Sequence, residues 1–329
     1  MAAMNQKFRV LITGGSGFLG KSLRASFANE CQVLNVDRTG QEGAFALDLL
    51  KLEEWEKLND FASYPLVFLI NLAFAFSPER DMEEINTLLV QNLGMFLKKH
   101  PHIFLFYPST ALLYGLKYRD VITEEFLPSP KSRYAMLKQK IENMLLSDFS
   151  QRCVIFRITN VYGRRMSDKT VVGKIVYQLE QDKRISLFDY NSVRDFIYID
   201  DVVEAFKRMT LCLTDRHTDA KGSLRPFGDE SPIFNLSTGK GIAIYDLASA
   251  LTQYYQKPYL LPERETVIDH GYQEHLVLSP QKLRDWLCAQ QAFCEVKTWS
   301  PISITEGIER MLSSVNEKAK DRHIYGKSS

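Results

Sequence analysis

Phe8-Arg9-Val10-Leu11-Ile12-Thr13-Gly14-Gly15-Ser16-Gly17-Phe18-Leu19-Gly20 is the stretch that decides the fold. Its first six residues form a short, nearly continuous apolar run, the mark of a strand buried on both faces. Glycines follow at 14, 17 and 20, and Leu19, Leu23 and Phe27 then recur at helical spacing. A glycine turn between a buried strand and a helix lets backbone approach a pyrophosphate that a side chain would block. The helix N-terminus behind it offers free N–H groups and the positive end of its dipole. Gly14, Gly17, Phe18, Leu19 and Gly20 are therefore candidate cofactor-binding residues. The alternative is a tight strand-to-helix turn that binds nothing.

The next run, Val33 to Asp37, ends in an acid about twenty residues further on, where a carboxylate can accept hydrogen bonds from both ribose hydroxyls of NAD. It would repel a 2′-phosphate, whereas Arg38 beside it could bind one, so NAD is expected ahead of NADP. Asp48 and Leu49 lie at a spacing that suits the adenine edge; an exposed loop acid is the alternative reading of Asp48. Leu66–Ile70, Ile103–Tyr107 and Cys153–Arg157 continue the buried strands, with helical patterns over Glu83–Lys99 and Tyr134–Asp148 between them. Strands alternating with helices predict an α/β fold, a Rossmann-type doubly wound parallel sheet.

After Gly163 the rhythm changes. Helical patterns run over Val171–Glu180, Val202–Leu213, Asp246–Tyr255 and Ile304–Val315, with a strand at Phe196–Ile199. Residues 1–162 are thus expected to form an NAD-binding Rossmann domain and 163–329 mainly a smaller C-terminal substrate-binding domain. Segments near 194–213 and 233–237 are expected to return to the first. Asp215–Ser231 is polar, with glycines and a proline, and reads as a surface loop; the tail from Asn316 reads as frayed.

Composition bounds the class. The 329 residues are 45% apolar and 25% charged, the balance of a globular protein. Lys and Arg number 41 against 40 Asp and Glu, a net charge of +1. No global field therefore favours nucleic acid or an anionic membrane. The apolar runs fall far short of the ~20 residues needed to span a bilayer, and the N-terminus lacks the apolar segment of a secretory signal. The five cysteines, at 31, 153, 212, 288 and 294, form no Cys-x-x-Cys pair and have no His at zinc spacing, so no metal site is expected. They read as buried thiols of a cytoplasmic enzyme.

Tyr134-Ala135-Met136-Leu137-Lys138 places a phenol and an ammonium at i and i+4, on one helix face. A nearby lysine favours phenolate, which makes Tyr134 a candidate acid/base for interconverting a carbinol and a ketone. Thr110 lies just past the 103–107 strand, where a hydroxyl can bond the reacting oxygen. His217, in the polar loop, and His270 are poor rivals. These features, with Asn71-Leu72-Ala73, Ser109 to Gly115, Arg157 to Gly163, Arg194 to Asp201 and Phe234 to Gly239, resemble the extended short-chain dehydrogenase/reductase family, in its nucleotide-sugar epimerase and dehydratase branch.

The resemblance implies that Thr110, Tyr134 and Lys138 are catalytic and that Ala73, Tyr134 and Lys138 meet the cofactor. It implies that Thr110, Asn160 and Arg194 touch a nucleotide-diphosphate sugar, with Arg194 at the diphosphate, where its planar fork matches phosphate oxygens. The bland readings are a turn-forming Asn160 and an Arg194 paired with Asp195 or Asp200. Asn86 falls near the family's helix-bending asparagine, but Leu89 stands where a glycine is usual three residues later. A homodimer is expected. Dehydratases and decarboxylases of this kind carry an acid one or two positions after the catalytic Ser/Thr. Ala111 and Leu112 stand there and transfer no proton. That leaves 4-epimerisation with NAD retained, the favoured reading, or NAD(P)H-dependent reduction of a 4-keto sugar. A non-catalytic NAD(H) sensor or scaffold is the reading from another class.

Overall fold

The N-terminal apolar run forms β1 (Arg9–Thr13), followed by α1 (Phe18–Phe27), β2 (Gln32–Asp37), β3 (Phe45–Ala46) and a single turn, α2 (Asn59–Ala62). Then come β4 (Val67–Asn71), α3 (Met82–Lys99), β5 (Ile103–Thr110), α4 (Arg133–Phe149), β6 (Cys153–Ile158) and β7 (Asn160–Tyr162). The remainder comprises α5 (Val171–Glu180), β8 (Val193–Tyr198), α6 (Ile199–Asp219), β9 (Ile233–Leu236), β10 (Gly241–Ala243), α7 (Ile244–Tyr254), β11 (His275–Leu276) and α8 (Gln281–Ala289). A last helix covers 304–313. This computed structural model describes residues 7–76, 81–116, 118–219, 226–228, 230–264, 274–290 and 299–313.

Seven strands form one parallel sheet in the order β3-β2-β1-β4-β5-β6-β9. The continuous apolar strands follow from its two covered faces. Val10, Ile12, Phe68, Ile70, Phe104 and Phe106 pack on one side with α1, α6 and α8. Leu11, Val67, Leu69, Ile103 and Leu105 alternate to the other side, against α3 and α4. Each such side chain, fully buried, contributes about 1.5–3 kcal/mol. Strand order reverses between β1 and β4, so their C-terminal ends open a crevice, the usual ligand position in open α/β sheets. A smaller sheet centres on β8, which pairs with β7, β10 and β11 and packs with α5, α7 and the 304–313 helix.

Several sequence readings need correction. Ile199 opens α6 rather than closing a strand, and α6 continues to Asp219, into the stretch read as a loop. Its buried stripe extends through Met209, Cys212 and Leu213, and that packing outweighs the polar residues that follow. Phe227, within the same stretch, is buried against Phe234 and Trp286, at centroid distances of 6.0 and 5.7 Å. β5 runs on to Thr110 itself, because pairing with β6 continues to Ile158. Cys31, Cys153 and Cys212 are buried thiols outside any disulfide, but Cys288, near the end of α8, is exposed. Cys294, His270 and the tail from Asn316 lie outside the described residues. Among the described residues no helix is long and apolar enough to cross a membrane, and no cluster of His, Cys, Asp and Glu could hold a metal ion.

Candidate active site

A cleft of about 850 Å³ opens at the C-terminal ends of β1, β2 and β4. It brings together Gly14, Gly17, Asp37, Arg38, Asp48, Leu49 and Ala73. Gly14 sits at φ +71°, and a Cβ there would lie 2.8 Å from the Ala73 nitrogen. A Cβ on Gly17 would instead meet nothing nearer than 3.6 Å, so that glycine leaves the mouth of the cleft open. Gly17 also caps α1 without a side-chain bond, which leaves first-turn N–H groups for an anion. Gly20 permits close packing, since its Cβ would lie 2.4 Å from the Gly15 Cα. The Phe18 and Leu19 side chains pack into the cores, so what they offer the cleft is backbone.

Asp37 is fixed as a carboxylate. Burial raises its pKa, but hydrogen bonds from the Ser16 hydroxyl, the Gly40 and Thr39 amides and the Thr39 hydroxyl prevail and hold it below the usual range. Asp48 accepts from the Leu50 amide at 3.2 Å. The Leu49 carbonyl is held by Trp55 Nε1 at 3.1 Å and Asn92 Nδ2 at 3.0 Å. This donor set fits a dinucleotide: an open glycine turn at a helix N-terminus, then a fixed anion at the end of β2. Asp37→Ala is expected to weaken NAD binding by roughly 10- to 150-fold, the loss of a charge-assisted contact of ~1.5–3 kcal/mol. NADP should improve relative to NAD, as read by cofactor titration; a native preference for NADP would place Arg38 in control.

A second cavity of about 320 Å³ adjoins the cleft, sharing Leu72, Phe74 and Phe76 with it, and is also lined by Thr110, Tyr134 and Lys138. Three local devices assemble it. Ser132 caps α4 by accepting from the Ala135 amide at 3.1 Å, which places Tyr134 in the first turn and Lys138 one turn later. Thr110 ends β5 and caps the short turn Ala111–Tyr114, its Oγ1 accepting from the Leu112 amide at 3.2 Å. Gly115 closes that turn at φ +73°. Thr110 and Tyr134 line the same cavity, and the Thr110 side chain favours the phenolate.

The electrostatics differ from the sequence expectation. Lys138 does not draw the phenol toward neutrality. Its Nζ donates to the Pro108 carbonyl at 2.9 Å and lies 4.5 and 4.7 Å from the ring centroids of Tyr107 and Phe74. Burial lowers the amine to about 7, opposed by the charge of Glu142. Burial also raises Tyr134 to about 12, against the influence of the Thr110 side chain. The helix spacing is right, but desolvation dominates both groups. Between pH 7 and the ordinary lysine pKa the unfolded chain binds the extra proton, so native stability should rise with pH there. Lys138→Met should accordingly exceed the native melting temperature most at pH 6, with the gap narrowing toward pH 9 in thermal unfolding.

Asn160 and Arg194 line neither of these cavities. Asn160 Nδ2 donates to the Asp195 carbonyl at 2.9 Å. Arg194 pairs with Glu274, eighty residues away, rather than with Asp195 or Asp200. Asp195 is buried and ties β8 to the turn after β9, accepting from the Thr238 hydroxyl at 2.7 Å and the Gly239 amide at 2.9 Å. The sequence reading missed Ser16, and it missed Ser109, whose buried hydroxyl faces the second cavity without a partner. It placed Asn86 only near the family's helix-bending asparagine. The Asn86 side chain accepts from the Ala75 amide and donates to the Ala75 carbonyl, both at 2.9 Å, pinning the strip Leu72–Phe76. An unpartnered oxygen or a side chain bonding distant backbone has no local sequence signal.

Residues 10–216 match the NAD dependent epimerase/dehydratase family, and the chain belongs to it. It is an enzyme of the extended short-chain dehydrogenase/reductase type, in a family of NAD(P)-binding nucleotide-sugar epimerases, dehydratases and reductases. The chain is 25% identical over 314 residues to a GDP-6-deoxy-D-talose 4-dehydrogenase of Aggregatibacter actinomycetemcomitans, covering 88% of this chain and 94% of the relative. Its fold is similar to dTDP-glucose 4,6-dehydratase of Bacillus anthracis in complex with NAD, at TM-score 0.74 and 16% identity over 95% of this chain and 98% of that one. It is similar also to Thermus thermophilus UDP-glucose 4-epimerase in complex with NAD, at TM-score 0.69 and 24% identity, covering 94% and 99%.

Proposed function

We propose that this chain interconverts a secondary alcohol and a ketone at C4 of a nucleotide-diphosphate sugar, and does so as a 4-epimerase that retains NAD. The observation that carries the reading is the lining of the second cavity. It holds Thr110, Tyr134 and Lys138, and no Asp or Glu among the described residues. Dehydration and decarboxylation need a second acid or base; Ala111 is buried beside Thr110 and Leu112 is partly exposed, and neither exchanges a proton. Bound NAD supplies a hydride acceptor and donor. Tyr134 Oη takes the proton from the sugar hydroxyl and returns it, Thr110 bonds the same oxygen, and Lys138 supplies positive charge when protonated. Asp37 holds the adenosine ribose, and Asn160 and Arg194 are assigned to the sugar nucleotide, with Arg194 exchanging Glu274 for diphosphate.

Reduction of a 4-keto sugar is the second reading, favoured by the likeness to a 4-dehydrogenase over most of the chain. Incubating the protein with NAD and a panel of UDP-, GDP- and dTDP-hexoses separates the two. An epimerase gives the C4 epimer, resolved by NMR, with no net change in NADH absorbance. A reductase or dehydrogenase changes NADH in step with product. Tight NAD binding with no sugar turned over would overturn both and leave a cofactor-binding sensor.

A further inference from the structure

We infer that the aromatic strip after β4 selects the substituent at C5 of the sugar, and that the preferred substrate carries a methyl group there, a 6-deoxyhexose. The inference rests on the proposed reaction at C4. Its starting point is Phe76, which is 71% exposed although it borders both cavities. An exposed large aromatic ring beside a reacting centre marks a surface that a ligand covers. Phe76 is stacked on Tyr134 at 5.7 Å between centroids and 26° between planes. Phe74 meets Tyr134 edge-on at 5.3 Å and Phe76 at 4.9 Å. The three rings form one apolar platform, and one of its members carries the phenol that exchanges the substrate proton.

The platform is held in place. Asn86, 1% exposed on α3, grips both backbone groups of Ala75, the residue between the two phenylalanines, and donates also to the Met82 carbonyl at 2.7 Å. Phe74 and Phe76 therefore project from a fixed strand of backbone rather than a loose loop.

Chemistry then limits what lies on the platform. A sugar with its C4 oxygen at Tyr134 Oη presents, on either side, the hydroxyl-bearing C3 and C5 with its exocyclic C6. A hydroxyl turned onto the phenylalanine rings would lose water without gaining an acceptor or donor. The C6 group is the one neighbour that can be carbon alone. Leu72, Ile158 and Val161 extend the apolar lining; of the polar side chains, Asn71 at the end of β4 has its Oδ1 taken by the Thr13 hydroxyl, and Ser109, Thr110 and Thr159 lie at or beside the end of β5 and β6. Lys138 is the one charged side chain among the described lining residues, and its Nζ is turned to the Pro108 carbonyl, so no cation waits for a C6 carboxylate.

The experiment uses the full chain with NAD and compares kcat/KM for matched pairs of UDP-, GDP- and dTDP-linked hexoses, one with a C6 hydroxyl and one 6-deoxy, with UDP-glucuronate beside them. For a substrate class that enters in the 4-keto form, the keto sugar and NADH replace the alcohol and NAD. The native protein should favour the 6-deoxy member by about 10- to 100-fold, the discrimination an apolar pocket achieves against one added hydroxyl. Phe76→Ala should reduce that ratio to within threefold. Phe76→Tyr, which returns a hydroxyl to the platform, should shift it toward the C6-hydroxyl sugar. Both substitutions fall at an exposed position, and unchanged circular dichroism and thermal unfolding verify the fold. Equal or better turnover of the C6-hydroxyl or uronate sugar, or a ratio indifferent to Phe76→Ala, would overturn the inference while leaving the C4 reaction standing. No turnover of any sugar in either redox form would overturn the reaction and this inference with it.

Discussion

Tyr134→Phe is expected to lower kcat by about 10²–10⁴-fold, the usual contribution of a general acid/base, with fold and NAD affinity retained. The ring remains, so its stacking on Phe76 and its edge contact with Phe74 are kept. What goes is an oxygen in the cavity where, on the proposed reading, the sugar hydroxyl exchanges its proton. Thr110→Ala should cost less, because that hydroxyl orients and polarises without carrying the proton away. The phenol sits at about 12 and the amine at about 7, both through burial. The amine is therefore neutral over most of the range in which the phenol loses its proton, and Lys138→Met should leave the pH at which oxidation appears nearly unchanged. Profiles of kcat against pH for the three variants, beside NAD titrations, decide the matter. A Tyr134→Phe protein within threefold of native would show that another group moves the proton.

The features legible in the sequence are those that depend on near neighbours. Continuous apolar runs gave away β1, β4, β5 and β6, because strands covered on both faces have no polar side to display. That the glycine turn and Asp37 meet at one cleft could be read because both lie along one βαβ unit. Tyr134 and Lys138 share a helix face by periodicity alone. Their ionisation was not legible, since it depends on Tyr107, Phe74 and the Pro108 carbonyl, which reach Lys138 from β5 and the strip after β4. The same holds for the Arg194 pair with Glu274 and for the grip of Asn86 on Ala75. Phe227 shows the converse error. Its polar neighbours read as loop, yet one aromatic ring meeting Phe234 and Trp286 is enough to bury that point of the chain.

Glu142→Ala is expected to destabilise the protein by about 3–5 kcal/mol, because it leaves a buried guanidinium without its counter-charge. Glu142 lies one turn beyond Lys138 on α4 and is 1% exposed; Arg157, on β6, is 4% exposed. The Arg157 Nη2 donates to Glu142 at 2.7 Å and its Nε reaches both carboxylate oxygens at 3.2 Å. Burial opposes the Arg157 charge, but Glu142 and the Tyr114 phenol, whose ring lies 4.9 Å from the guanidinium, raise its pKa. The network goes on through Tyr114 Oη to Asn235 Oδ1 at 2.9 Å, and Asn235 Nδ2 donates to the Ile122 carbonyl at 3.0 Å. It thereby connects the helix that carries Tyr134 and Lys138 to β6 and β9. The pair has no net charge, so replacing both members by apolar residues removes the desolvation cost together with the attraction. Glu142→Leu combined with Arg157→Met should recover most of the stability lost by Glu142→Ala. Urea unfolding of the native protein, both single variants and the double variant yields the coupling directly. Additive losses would mean that the two charges are stabilised separately. A large favourable coupling would identify the pair as the bond that fastens α4, and with it Tyr134 and Lys138, to the sheet.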